Sequence, residues 1–222
     1  MKTILASGSP RRRAILEQIG IRFLVLPAKG EEFTTETEPA KVVEALSRKK
    51  AEEIADAILS GKLKSYGNEE IWEDRNGDAE ECLVIGADTV VSYEDKILGK
   101  PKDVGEAKTM LTALQGRSHI VYSGVTCIQI KLGFKKEFTF SEGTEVEFYP
   151  MTPEEIEYYV ETGEPMDKAG AYAIQGKFAP YVKQIHGDYY NVMGLPLAHM
   201  IHGLAAWGID LIRLTPGKGR KG

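Results

Sequence analysis

The stretch Cys82 to Ser92, CLVIGADTVVS, constrains the fold more than any other part of this chain. Its near-continuous apolar character marks a strand covered on both faces, as at the centre of an α/β sheet. One residue interrupts the run. Asp88 places a carboxylate inside that strand, which is costly unless charged partners, hydrogen bonds or a metal compensate it. Its neighbours Gly86 and Ala87 are small and leave room for a ligand. Two readings stand: a structural aspartate bonded to nearby backbone amides, or a functional carboxylate. A carboxylate with the ordinary pKa of ~3.9 is a poor general base at neutral pH. The functional reading therefore requires a raised pKa or a divalent ion that acidifies the attacking water. A second carboxylate would ease metal binding, and Glu32, next to Glu31 in the polar loop 27–38, is the candidate. Taken alone, Glu31 and Glu32 read as a solvated acidic pair.

The front of the chain is the second landmark. Ile4 to Leu16 reads as a short buried strand, a turn of small residues and the start of a helix. Ser9 suits the N-cap and Pro10 the first helical position, where its missing N–H costs nothing. Arg11, Arg12 and Arg13 then fill the first turn, although the partial positive charge of a helix N-terminus disfavours cations there. Orphan amides, the Ser7 and Ser9 hydroxyls and three guanidinium groups converge on one spot. An anion would satisfy them, a polyphosphate best of all. The plainer reading, solvated arginines beside an ordinary cap, stands equally on local chemistry.

The remaining elements follow from periodicity and punctuation. Gly20 ends the first helix, and residues 21–26 read as a second strand. Pro39 opens a long helix with Val42, Val43, Leu46, Ile54, Ile58 and Leu59 on one stripe, capped by Gly61. Residues 62–81 are polar and Gly/Asn-rich without periodicity, a surface excursion. A short strand precedes Gly99-Lys100-Pro101, and Asp103 caps a helix to about Leu114. Two long strand-like runs, 118–131 and 135–149, meet near Gly133. Thr152-Pro153-Glu154-Glu155 is a capping box opening a helix to about Glu161. Residues 166–187 form an irregular loop and then a strand, 194–207 a last helix, and 209–214 an edge strand. The order is mixed α/β or α+β, not a regular βαβ series.

Size and charge exclude several classes. The chain has 222 residues, enough for one large domain or two closely packed lobes. A net charge of −5 leaves no global basic field for nucleic acid. Cys82 and Cys127 are the only cysteines and read as buried thiols, with no disulfide framework or zinc pattern. No apolar run approaches a membrane span and the N-terminus lacks a signal peptide's apolar core, so the cytoplasm is the expected compartment.

Other candidates for chemistry are softer. Lys100, held before Pro101, could neutralise a phosphate or simply decorate the surface. Lys50 sits among Arg48 and Lys49 and by charge pattern is solvated. The loop 167–176 is rich in small residues that permit close backbone approach, and Gln175 offers an amide able to read a base edge. His199 and His202 share a helix face without a third ligand and read as ordinary helix residues. There is no Walker A sequence, GxGxxG, GxSxG or HExxH.

Several segments together resemble the Maf family of nucleotide pyrophosphatases, named for septum-formation inhibition. They are Leu5 to Arg12, the Glu31-Glu32 loop, Ile85 to Val91, Gly99-Lys100-Pro101, Gly163 to Gly176 and Gly187 to Leu197. These span nearly the whole chain in consistent order. The polar link 62–81 departs from the pattern by its length, which touches no catalytic position.

The resemblance implies a mixed sheet flanked by helices, folded as two lobes around a cleft, similar to inosine triphosphate pyrophosphatase. It implies one domain over 1–215, and the Gly/Lys-rich composition of 216–222 marks a flexible tail. It implies hydrolysis of a nucleoside triphosphate between the α and β phosphates with Mg²⁺ or Mn²⁺. Residue by residue, Ser7, Arg11 and Arg12 would hold the triphosphate with help from Lys50 and Lys100. Glu32 and Asp88 would bind metal or activate water, with Asp88 the proton acceptor. Thr89 and Gln175, with Arg11, match positions tied to base selection, and residues 171–176 resemble the subgroup acting on dTTP and UTP. Arg13 is expected to face solvent. A homodimer is implied, with neither nucleic acid nor membrane as partner. Two rival readings are action on 7-methyl-GTP or another modified purine, and a non-catalytic nucleotide- or nucleic-acid-binding regulator of cell division.

Overall fold

The apolar run around Asp88 becomes the pivot of a mixed sheet in the computed structural model, which describes residues 1–62 and 81–213. The expected excursion, apart from its two end residues, and the tail lie outside the described residues. In chain order come β1 (Lys2–Leu5), α1 (Pro10–Gln18), β2 (Leu24–Val25), α2 (Pro39–Leu59), β3 (Cys82–Tyr93) and β4 (Lys96–Leu98). There follow α3 (Val104–Leu114), β5 (Ser118–Lys131), β6 (Phe134–Phe148), α4 (Pro153–Glu161), β7 (Val182–His186), α5 (Tyr189–Val192) and α6 (Leu197–Ala205). The sheet order is β2-β1-β3-β5-β6-β7, with β4 pairing β3. β1 runs parallel to β2 and β3, and the other pairings are antiparallel.

Alternation along β3 assigns its two faces. Leu83, Ile85 and Ala87 join the cluster of α1 and α6, with Ile15, Leu16, Met200 and Leu204. Cys82 and Val84 join Ala51, Ile54 and Ala55 of α2 on the other face. Asp88 has the parity of the α2 face and Thr89 that of the α1 face. A third cluster lies farther along β3 and β5, where Val91 and Val121 meet Leu111 of α3, Tyr159 of α4 and the aromatic group Phe148, Tyr172 and Phe178. Asp88 and Thr89 fall between the first and third clusters.

Helix α2 approaches the sheet unusually closely, and two glycines make that possible. A Cβ on Gly86 would lie 2.3 Å from the Ser47 carbonyl oxygen, and one on Gly124 would lie 2.3 Å from that of Val43. The contact is finished by Ser47 Oγ, which meets Thr126 Oγ1 at 2.9 Å within the buried interface.

The edge of β3 is interrupted where Asp88 sits. Pairing with β1 ends at Leu5 opposite Ile85, and pairing with β4 begins only at Val91 opposite Leu98. Among the described residues, 86–90 thus have no neighbouring strand on that side, while β5 pairs them continuously on the other. The chain after β1 turns away through Gly8 into α1, which leaves a gap in the sheet.

The caps form as their chemistry requires: Asp103 accepts from the Glu106 amide at 2.8 Å, and Thr152 and Glu155 complete a reciprocal capping box. Three expectations need correction. Ser9 is the N-cap of α1 but its side chain makes no capping bond. The second strand covers only Leu24–Val25, because a four-residue β1 offers little edge to pair with. Residues 209–213 form no strand; Ile209 and Leu211 are buried against the α1/α6 cluster from a turn.

Candidate active site

The gap in the sheet edge opens into a cavity of about 570 Å³. Because no strand intervenes, residues from both faces of β3 reach it, and Asp88 and Thr89 line it together. Ser7 enters from the β1–α1 turn, Arg11 and Arg12 from the first turn of α1, Glu32 from the loop before α2, Lys50 from α2 and Lys100 from the turn after β4. Eight of the nine expected site residues therefore share one cavity. Gln175 does not line it; Ala173 and Ile174, just before it, do.

The close seating of α2 carries Lys50 onto Asp88. Lys50 Nζ lies 2.6 Å from Asp88 Oδ1 and 2.9 Å from Glu32 Oε1, so one ammonium bridges both carboxylates. The expectation that Lys50 is solvated is thereby corrected, since its side chain is 14% exposed. Partial burial alone would raise the Glu32 carboxyl, but Lys50, Lys100 and Arg12 outweigh it and hold its pKa below the usual range.

Arg12 is a buried clamp. It donates from Nε to the Gly194 carbonyl at 2.8 Å, from Nη1 to Ser7 Oγ at 2.9 Å and from Nη2 to Thr89 Oγ1 at 3.0 Å. All three acceptors are neutral, and among the described residues its charge is met by no direct ion pair. Burial pushes its pKa down, and the attraction of Asp88 opposes that. A guanidinium has five N–H donors, which leaves two beyond the three used here. Arg11 and Lys100 make no hydrogen bond or salt bridge among the described residues. Arg13 faces solvent and pairs with Glu17 at 2.7 Å, one turn on.

The cavity therefore presents cations that are unpaired among the described residues, and spare N–H donors, to an anion, beside two carboxylates on one lysine. Its lining also includes the apolar side chains of Val91, Val121, Ala169, Ile174 and Met193. Among the described residues no three His, Cys, Asp or Glu side chains gather in metal-binding geometry. The two carboxylate oxygens do converge on a single cationic atom, however. Mg²⁺ is commonly held by one or two carboxylates completed by substrate phosphate oxygens and water, so the pair suits such an ion.

Gly187 to Leu197 was among the segments that carry the family resemblance, but sequence reasoning assigned no role to Val192, Met193 or Gly194. The one-turn helix α5, capped by Asp188 Oδ1 on the Tyr190 amide at 2.8 Å, brings Val192 and Met193 to the cavity wall and leads to the Gly194 carbonyl that receives Arg12. Its available signal was the aspartate cap before a short aromatic run.

The family model described as Maf-like protein matches residues 2–207. The chain is 50% identical over 212 residues to a protein of Agathobacter rectalis named dTTP/UTP pyrophosphatase, covering 94% of this chain and 98% of that one. Proteins of the same name from Lachnoclostridium phytofermentans and Carboxydothermus hydrogenoformans are 45% and 44% identical, over 95% and 94% of this chain and 97% and 100% of theirs.

Proposed function

This chain belongs to the Maf family, and we propose on that premise that it hydrolyses pyrimidine nucleoside triphosphates, dTTP and UTP foremost, to the monophosphate and pyrophosphate. The observation that carries the reading is the pair Asp88 and Glu32 held on Lys50 within the same cavity as the unpaired Arg11 and Lys100. The relatives' name supplies the substrate class.

The charged lining takes the triphosphate and the apolar lining the base. Arg11 and Lys100, with no hydrogen bond or salt bridge to give up among the described residues, bind phosphate oxygens, and Arg12 adds its two spare N–H groups from a fixed position. Lys50 exchanges one carboxylate for a phosphate oxygen as the anion enters. Water attacks the α phosphorus, its proton passes to an Asp88 carboxylate oxygen, and the bond to the β phosphate's bridging oxygen breaks. The charge that grows on departing pyrophosphate meets cations already oriented, which is where fixed charge lowers a barrier most. Asp88 and Glu32 would hold a divalent cation that lowers the pKa of the attacking water and screens the phosphates.

The test is pyrophosphate release from dTTP and UTP with Mg²⁺ by the wild type and by Asp88→Asn. The expected result is turnover by the wild type and loss of at least about 100-fold in the variant. Equal activity in the two removes the role given to Asp88, and release of single phosphates removes the pyrophosphatase reading.

A further inference from the structure

Glu32 belongs to the site, yet its side chain is 61% exposed, and residues 26–38, between β2 and α2, form neither helix nor strand. No ladder of its own therefore holds this carboxylate beside Lys50. Close packing is also interrupted: a cavity of about 190 Å³, lined by Gly30, Glu32, Leu46, Lys49, Lys50 and Glu53, lies between the loop and α2. Polar ties cross it. Glu53 Oε1 accepts from the Lys29 amide at 2.8 Å and Oε2 from the Gly30 amide at 2.9 Å, so one carboxylate takes two successive backbone donors. Lys49 Nζ donates to the Phe33 carbonyl, and Lys50 takes the Glu32 carboxylate itself. Residues 49, 50 and 53 are neighbours on one face of α2. Ala51, Ile54 and Ala55 of the same helix are fully buried in the cluster with β3. A helix fixed to the sheet thus holds the loop on both sides of Glu32. Gly30 is part of the fit, because a Cβ there would lie 2.8 Å from Glu53 Oε2.

We propose that Glu53 is a positioning residue for the reaction, pinning the loop at Lys29 and Gly30 so that Glu32 meets the same ammonium as Asp88. The inference rests on the pyrophosphatase reading above, in which Glu32 and Asp88 act together. Glu53 does not line the main cavity, so it acts through the loop and not on the substrate. With the pin removed, Glu32 stands in place in only a fraction of the molecules, and turnover falls by that fraction. Arg11, Arg12 and Lys100 keep their positions and still bind the triphosphate. The loss therefore falls on kcat and spares KM.

The experiment measures kcat and KM for UTP at saturating Mg²⁺ with the full chain, for the wild type, Glu53→Ala, Gly30→Ala and the double variant. Amide hydrogen exchange is followed by NMR in the same proteins without metal. Gly30→Ala attacks the contact from the loop side, since its methyl displaces the flexible end of Glu53 and leaves α2 intact. Each single variant is expected to lose about 5- to 30-fold in kcat, the scale of a partly solvated hydrogen bond to a charged group, with KM within about twofold of wild type. The double variant is expected to match the weaker single variant within about twofold, since both remove one contact. Exchange at the Lys29 and Gly30 amides is expected to quicken at least about fivefold in Glu53→Ala. Should Glu53→Ala melt early, kcat of Gly30→Ala decides the role. A kcat within about twofold of wild type, a loss confined to KM, or losses that multiply in the double variant overturns the role of Glu53 while leaving the reaction standing. Unchanged exchange at both amides overturns the pin whatever the activity. No pyrophosphate from UTP or dTTP with the wild type overturns the reaction and the catalytic role together.

Discussion

Adjacent arginines of α1 should respond to substitution in opposite ways. Arg12→Lys keeps the charge but replaces a planar fork reaching three acceptors, at 2.8, 2.9 and 3.0 Å, with a single ammonium. Hydrogen bonds from a charged donor contribute about 1.5–3 kcal/mol each. Lysine recovers one of them, and relief of the guanidinium's burial offsets part of the rest. The net cost is then about 2–4 kcal/mol. For a chain of this size each kcal/mol lowers the melting temperature by about 2–4 °C, so Arg12→Lys should melt about 4–16 °C below the wild type. Arg11 has no hydrogen bond or salt bridge to lose among the described residues, and Arg11→Met should stay within about 0.5 kcal/mol of wild-type stability while pyrophosphate release falls at least tenfold. Calorimetry and urea midpoints at constant m-value, run beside the activity assay, separate the two effects. If Arg12→Lys melts within about 2 °C of wild type, or Arg11→Met destabilises as much, the clamp described for Arg12 is wrong.

Two further outcomes follow from packing and burial. Gly86→Ala drives a methyl into the Ser47 carbonyl, where backbone cannot yield, and should cost at least about 1–3 kcal/mol and lower activity by lifting Lys50 from Asp88; a urea midpoint equal to wild type would refute the close seating of α2. His119, whose Nε2 lies 2.7 Å from the Tyr172 hydroxyl, has its pKa pushed down by burial to about 4, from 6.5. The unfolded chain therefore binds this proton first, and stability should fall as pH drops from about 6.5 to 4 by up to about 3 kcal/mol. His119→Gln should flatten that slope in urea titrations across the range, and an unaltered slope would show the loss to arise elsewhere.

Whatever local chemistry decides could be read from the sequence. The caps at Asp103 and Thr152, the long α2 stripe and the apolar β3 each follow from neighbours within a turn or a strand. Arg12 illustrates what does not. Its acceptors at Thr89 and Gly194 lie 77 and 182 residues away, so residue spacing could not separate a buried clamp from the open Arg11 beside it. Lys50 looked solvated because its sequence neighbours are charged; only the glycine-permitted approach of α2 shows where it goes. Ile209 and Leu211 were apolar for the sake of the core rather than a sheet, and period-2 patterning cannot tell these apart. The site's cations and carboxylates were thus identifiable as types, while which were paired and which were free came from the fold.

The interrupted edge of β3 also has a consequence for hydrogen exchange. The Ile85 carbonyl accepts the Ala6 amide, so alternation turns the peptide groups of Ala87 and Thr89 toward the gap. Their amides belong to one of the most buried strands, yet the edge they face carries no pairing strand among the described residues, and Thr89 lines the cavity there. They should exchange with solvent deuterium far faster than the flanking Ile85 and Val91 amides, without any global unfolding. A bound nucleotide that excludes solvent from the cavity should slow them selectively, so exchange at these two positions would report occupancy of the cavity in a catalytically dead Asp88→Asn protein as readily as in the wild type.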